Sequence, residues 1–364
     1  MHRDPGPNAS RSRQPNKYDH VKCSQNQSGR THQMKIRNRI LAVLSATALF
    51  GTTQTALAES KLNMANEYAD SSFQADGDRF FLERVGELTN GAVGIDYFPG
   101  GGLGYKSADH FFAVSDGAID IANTFIGQLS GVDPIFLLPS QPFVVTSEKA
   151  AKTLEEVLAE HYEKIFSANN QVYLFSSPWP PSGLWSRDPI ADTASLKDLK
   201  VRVADANATI VFQNASAAPL QLSWGDVMPQ LATNALDAAV TSAEGGVNSK
   251  LWEFLPNYLA LNYTTPVNVI HMNLDAFEAL SEAEQAAVRQ AAQETVDRQW
   301  GLLAERLQEN YGVLRENDTA VVEDVPADVM EALVKASDAS MESWLEKSGA
   351  DGAAIVEDFK AKMK

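Results

Sequence analysis

The sequence predicts an α/β protein built in two lobes. Three observations carry this. The chain has 364 residues, more than one small core needs. Strand and helix patterns alternate over about 65 residues from position 61, the signature of a mainly parallel sheet. A second alternating set follows from about residue 147, ahead of a single very long helix.

Residues 61–67 read as a first strand, with Ser71 and Ser72 as a helix cap. Phe73, Phe80, Phe81, Val85 and Leu88 then recur at helical spacing, and Asn90-Gly91 supplies the stop. Residues 93–98 form a second strand that runs into Pro99-Gly100-Gly101-Gly102, where glycine suits a strand-to-helix turn at positive φ. A helical turn at 111–114 and a short buried strand at 118–122 follow. Ser147 caps an Ala-, Glu- and Leu-rich helix to about Phe166, and 171–175 is a strand. The second set comprises a strand at 199–203, helices near 207–215 and 226–234, and strands around 236–240 and 268–272. Ser281-Glu282-Ala283-Glu284 is a capping box that opens a helix to Tyr311. Its length, about thirty residues against a mean near 11–12, suits a brace crossing both lobes. Helices near 328–347 and 352–362 end the chain.

The N-terminal region reads as targeting. Met34-Lys35-Ile36-Arg37-Asn38-Arg39 is cationic, 40–50 is apolar, and Ala56-Leu57-Ala58 offers small residues for cleavage. The apolar run is far shorter than the roughly 20 residues of a membrane-spanning helix. Residues 1–33 are therefore expected to be an extension outside the fold, 34–58 a signal peptide, and export to the periplasm the destination. The whole chain carries 30 Lys+Arg against 47 Asp+Glu, a net charge of −17. Removal of 1–58 would leave 306 residues at −24 with no cysteine. That charge disfavours nucleic acid and anionic lipid as partners, and the single cysteine excludes a disulfide framework or Cys-rich metal site.

The glycine cluster does not match a phosphate loop, because Tyr105 separates Gly104 from Lys106. Neither HExxH nor GxSxG occurs, and His110, His161 and His271 lie far apart. No catalytic, metal or cofactor site is expected. Arg202 stands out. In Leu199-Lys200-Val201-Arg202-Val203, the strand period puts the valines on one face and Lys200 and Arg202 on the other. A guanidinium within a covered sheet needs an anion, either an internal carboxylate or a ligand carboxylate held bidentately. The tract from Pro178 to Arg187, with Trp179, Trp185 and three prolines, is either a packed crossover or an apolar wall over a ligand.

Several of these segments together resemble the solute-binding proteins of TRAP transporters. Ser186-Arg187-Asp188-Pro189-Ile190 and then Leu196 to Val203 are similar to that family's S-x-x-x-I…D-L-K-G-L-K-h-R-V. Ser195 and Asp198 depart from it. Residues 224–238 are similar to its E-V-Y-x-A-L-Q-x-G-x-V-D-G, 98–104 to P-x-G-x-L-G, and 116–121 to x-G-x-h-D-h. The resemblance implies a two-lobed periplasmic-binding-protein fold, with mixed sheets, a cleft between lobes and the long helix as brace. Residues 59–178 with 267–306 would form lobe I, and 179–266 with 307–364 lobe II. It implies capture of a small organic acid and delivery to an ion-gradient-driven membrane permease by a monomer, without ATP or cofactor. Arg202 would hold the carboxylate. Thr241, Glu67, Ser72, Phe125, Trp179, Trp185 and Asn268 would line the cleft. Pro181 stands where some sugar-acid binders carry an extra Arg, which disfavours sialic-acid-like ligands. The alternatives are the binding protein of an ATP-driven importer, a secreted α/β hydrolase, and an adhesion scaffold with a filled cleft.

Overall fold

The computed structural model describes residues 60–364; the proposed leader and the segment before it lie outside the described residues. Strand β1 (Ser60–Asn66) leads to α1 (Phe73–Leu88), whose Ser72 cap accepts the Ala75 N–H. Next come β2 (Val93–Phe98), α2 (Ser107–Ser115), β3 (Ile121–Phe125), α3 (Glu148–Ser167) and β4 (Gln171–Pro178). The turn after β2 uses its glycines as expected, with Gly100, Gly101 and Gly104 all at positive φ. Strand β3 starts three residues beyond the predicted 118–122. Residues 117–119 instead close the end of α2, with Gly117 at φ 71° and Ala118 and Ile119 both donating to Ala113 O.

Strand β5 (Ser182–Ser186) then enters a second sheet, followed by β6 (Lys200–Val203), α4 (Ala206–Asn214), β7 (Ala218–Gln221), α5 (Val227–Ala232), β8 (Ala238–Ser242), α6 (Ala243–Ser249) and β9 (Asn257–Leu259). The chain returns to the first sheet as β10 (Val267–Asn273). After α7 (Leu274–Glu278), α8 (Glu282–Glu316), β11 (Ala320–Val322) and α9 (Ala327–Met363) complete it.

The strand orders are β2-β1-β3-β10-β4 and β11-β9-β5-β8-β6-β7. Both sheets are mixed rather than mainly parallel. In the first, β10 runs antiparallel between β3 and β4; in the second, β5 runs antiparallel to β8 and β9. These two strands are the ones that cross between sheets, so each arrives from the opposite direction. The two crossings lie side by side: Trp179 N donates to Pro266 O, and Ser182 N to Thr264 O, each at 2.9 Å.

The 35-residue α8 braces both halves, beginning with the expected capping box of Ser281 and Glu284. Gln299 donates to Phe73 O at the start of α1, at 2.8 Å. One turn and more beyond, Arg306 and Asn310 donate to the fully buried Glu244 of α6. Glu244 also accepts the Phe73 N–H at 2.7 Å, so one carboxylate ties α1, α6 and α8 together. Helix α9 is interrupted at Gly349, between the two predicted helices. Residues 307–364, expected in lobe II, divide in their packing. Val329, Leu333 and Ala336 join the second sheet's core, whereas Trp344, Ile355 and Phe359 pack with α3 beside the first.

Candidate functional site

Between the sheets lies a cavity of about 70 Å³. A single water needs about 10–15 Å³ on this measure, so the space accepts one small ring with its substituents. Its floor is formed where the parallel strands end, as in open α/β sheets generally: Phe125 closes β3, Arg202 lies in β6, and Thr241 and Ser242 end β8. Tyr68 and Trp179 complete the apolar wall, their rings edge to face at 4.7 Å.

Arg202 is 4% exposed. Its Nε and Nη2 donate to Leu222 O at 3.0 and 2.8 Å, and Nη1 donates to Val240 O at 3.3 Å. Trp224 lies across the guanidinium, 5.3 Å from ring centroid to Cζ. Among the described residues no carboxylate comes within ion-pairing distance of it. The internal salt bridge left open by the sequence is therefore not formed; backbone carbonyls hold the group instead. Burial pulls the guanidinium below its ordinary value, while Tyr68, Glu67 and Asp205 oppose this. It remains a cation at neutral pH. A buried cation satisfied only by neutral carbonyls, beside an apolar hollow, retains an unmet attraction for an anion.

The predicted site residues separate into two groups. Arg202, Thr241, Phe125 and Trp179 all line the cavity. Glu67, Ser72, Trp185 and Asn268 do not. Glu67 accepts Ser107 N at 3.0 Å with Oε2 and Gly225 N at 2.8 Å with Oε1, so it joins the two halves at the cavity's edge. Ser72 is spent as the α1 cap. Asn268 stands behind Trp179, accepting its indole N–H at 2.7 Å and donating to Asn123. Trp185 points into the second sheet's core, its ring tilted against that of Tyr258 at 4.9 Å and pressed against Gly246. Lys106 and Asp226 add a second link across the gap at 2.7 Å, and Ser223 donates to Gln128 at 2.9 Å.

Among the cavity residues that were not anticipated, three stand out. Asp205 caps α4 by accepting Ala208 N at 3.0 Å and is 3% exposed. Its cap position was legible before the helix at 207; its exposure to the cavity was not. Tyr263, from the return crossing, is buried with a hydroxyl that has no hydrogen-bond partner among the described residues. Trp224 fell within the family-like segment but without an assigned role. The histidines take no part: His110 and His271 are fully buried and share Thr124 Oγ1, at 3.0 and 2.8 Å. No helix of the described residues is long and apolar enough to cross a membrane.

Two α/β halves meeting over a small cavity, lined by a buried arginine that has no ion pair among the described residues, define a protein built to hold a solute. Residues 64–347 match the model of the bacterial extracellular solute-binding proteins, family 7 (DctP), and the chain belongs to that family. Among solved structures, it is similar to DctP7 of Bordetella pertussis, an extracytoplasmic solute receptor binding pyroglutamic acid. The two are 24% identical with a TM-score of 0.80, over 82% of this chain and 99% of that one. It is also similar to a marine metagenome TRAP solute-binding protein specific for pyroglutamate, 26% identical with a TM-score of 0.79, over 83% and 98%. A solute-binding protein of Albidiferax ferrireducens is 26% identical over 179 residues, 48% of this chain and about half (52%) of that protein. The fold is thus the two-lobed one of TRAP receptors, and the family is one of transport rather than catalysis.

Proposed function

We propose that this protein is the periplasmic receptor of a TRAP transporter, which encloses a small organic acid at Arg202 and delivers it to the membrane permease. The observation that carries this reading is the buried Arg202 guanidinium, open to the cavity and free of any ion pair among the described residues. Charge-assisted contact of a carboxylate with such a group is worth far more than the surface field. The overall negative charge of the chain is screened beyond roughly 8 Å in physiological salt and acts mainly on the encounter rate. The ligands of the similar structures, pyroglutamate in both cases, are compact carboxylates of the size the cavity accepts. Cavity contacts then fall to Arg202, Thr241, Phe125 and Trp179. Glu67 serves as a link between the lobes. The signal-like segment 34–58 supports export, and the receptor acts as a monomer with no chemistry of its own.

A thermal-shift screen of small monocarboxylates tests this. A ligand at 100 times its dissociation constant adds about 2.7 kcal/mol and raises the melting temperature visibly. No shift across the series, or a shift from uncharged analogues equal to that from the acids, would refute the reading. Recovery of the bound acid unaltered after prolonged incubation distinguishes a receptor from a hydrolase.

A further inference from the structure

A bound carboxylate needs more donors than Arg202 has to give. The guanidinium carries five N–H groups, and Leu222 O and Val240 O take three of them, through Nε, Nη2 and Nη1. Two remain, one on each Nη. A carboxylate has about four acceptor sites, and in a buried place those left unmet weaken binding. Gln128 also lines the cavity, from the 3-10 turn Ile126–Gly131 that follows β3 in the first half. Its Oε1 accepts the Ser223 hydroxyl of the second half at 2.9 Å, and its Nε2 makes no hydrogen bond among the described residues.

Ser223 belongs to a run that faces two ways. Leu222 O and the Trp224 ring hold the Arg202 guanidinium. Ser223, Gly225 and Asp226 reach the first half, at Gln128, Glu67 and Lys106. The Gln128 amide therefore meets the cavity and the segment that carries the links between the lobes at once. An amide that donates to an anion becomes a stronger acceptor at its carbonyl, because successive hydrogen bonds polarise one another.

Resting on the carboxylate reading above, we propose that Gln128 is a positioning residue that couples the acid to closure. Its Nε2 donates to the carboxylate that Arg202 holds, while its Oε1 keeps the Ser223 hydroxyl. Occupancy of the cavity then tightens the Gln128–Ser223 link, and the link orients the amide for the ligand.

Titration calorimetry on the mature protein at pH 7.5 tests this with 5-oxopyrrolidine-2-carboxylate, cyclopentanecarboxylate and pyruvate, the tightest of which is carried through the variants. Gln128→Glu keeps an acceptor for Ser223 but sets a second carboxylate against the acid, and should weaken binding by about tenfold or more. Ser223→Ala leaves Nε2 in place and should cost about fivefold in the parent, but less than about 1.5-fold in Gln128→Ala. That cycle needs no buried charge, and a merely structural role for either residue would give equal costs in both backgrounds. Equal costs, or affinity of Gln128→Glu within about threefold of the parent, would overturn the coupling. The carboxylate reading survives that result if Arg202→Ala abolishes binding; binding unaffected by Arg202→Ala overturns the reading and the coupling with it. No binding by any of the three acids overturns the coupling, which needs only the carboxylate they share, and the wider screen above then decides the reading.

Discussion

The indole of Trp224 covers the guanidinium of Arg202 at 5.3 Å, and the next two residues tie the same turn to the opposite lobe. Gly225 N is held by Glu67 and the Asp226 carboxylate by Lys106. The Arg202 guanidinium and the contacts that link the two lobes are thereby joined through one short 3-10 turn, Trp224–Asp226.

Arg202→Ala is expected to lower affinity for the cognate acid by at least 100-fold, about 3 kcal/mol, since it removes the charged partner of a buried carboxylate. Arg202→Lys keeps the charge but not the planar fork, and should recover only part of the loss. Titration calorimetry measures both, with circular dichroism to show that the fold persists. Affinity within threefold of the parent in the alanine variant would contradict the assignment.

Glu67→Gln bears on closure without touching the cavity. The amide can accept one of the two N–H groups, from Ser107 or Gly225, but presents a donor to the other. Loss of one such bond weakens affinity about tenfold while the cavity's own residues are unchanged. X-ray scattering of the ligand-free variant should show a larger radius of gyration; unaltered scattering together with unaltered affinity would rule out a closing role.

Gly246→Ala tests the packing that fixes the second lobe. A Cβ at this position would come within 1.8 Å of Trp185, whose ring is wedged among Tyr258 and the helix α6. Overpacking of this kind costs about 3 kcal/mol. Urea unfolding should report that destabilisation, and a change below about 0.5 kcal/mol would mean that the ring moves aside freely.

Asp78 gives a pH signature. It is fully buried, and burial pushes its carboxyl up to about 7 although Asn123, Asn66 and Tyr97 all donate to it. From about pH 4 to pH 7 the unfolded chain has lost this proton and the folded chain retains it, so stability declines as pH rises through that window. His110 acts oppositely. Burial lowers it to about 4, so the unfolded state binds the extra proton below its ordinary value and stability rises with pH towards 6.5. The two effects offset each other in the parent. In Asp78→Asn the histidine remains, and stability relative to the parent should climb by something on the order of 4 kcal/mol between pH 4 and 7.5, whatever the pH-independent cost of the substitution. Parallel pH profiles of the two proteins in chemical denaturation would refute this.

Local patterns were legible to within a few residues wherever short-range chemistry decides the outcome. The Ser281–Glu284 capping box, the glycine turn after β2 and the break near Gly349 all follow from backbone demands of adjacent residues. Strand β3 was misplaced because the closing of α2 at Ala113 consumed residues that alternate like a strand. Strands β5, β7, β9 and β11 were missed, being three to five residues long and specified mainly by their neighbours.

Residue type and periodicity alone determined that this chain is an α/β protein with a long brace, a family-like Arg202 strand and no recognisable catalytic motif. Tertiary structure decided what those residues face. Trp179 and Trp185 lie six positions apart in one aromatic tract, yet the first walls the cavity and the second fills a core, because a change of sheet falls between them. Glu67 and Asp205 are both buried acids, but the former takes two N–H groups from opposite lobes, while the latter caps α4 at the cavity wall. Such distinctions depend on partners more than a hundred residues away, as Gly225 is from Glu67, and short-range propensity carries no information about them.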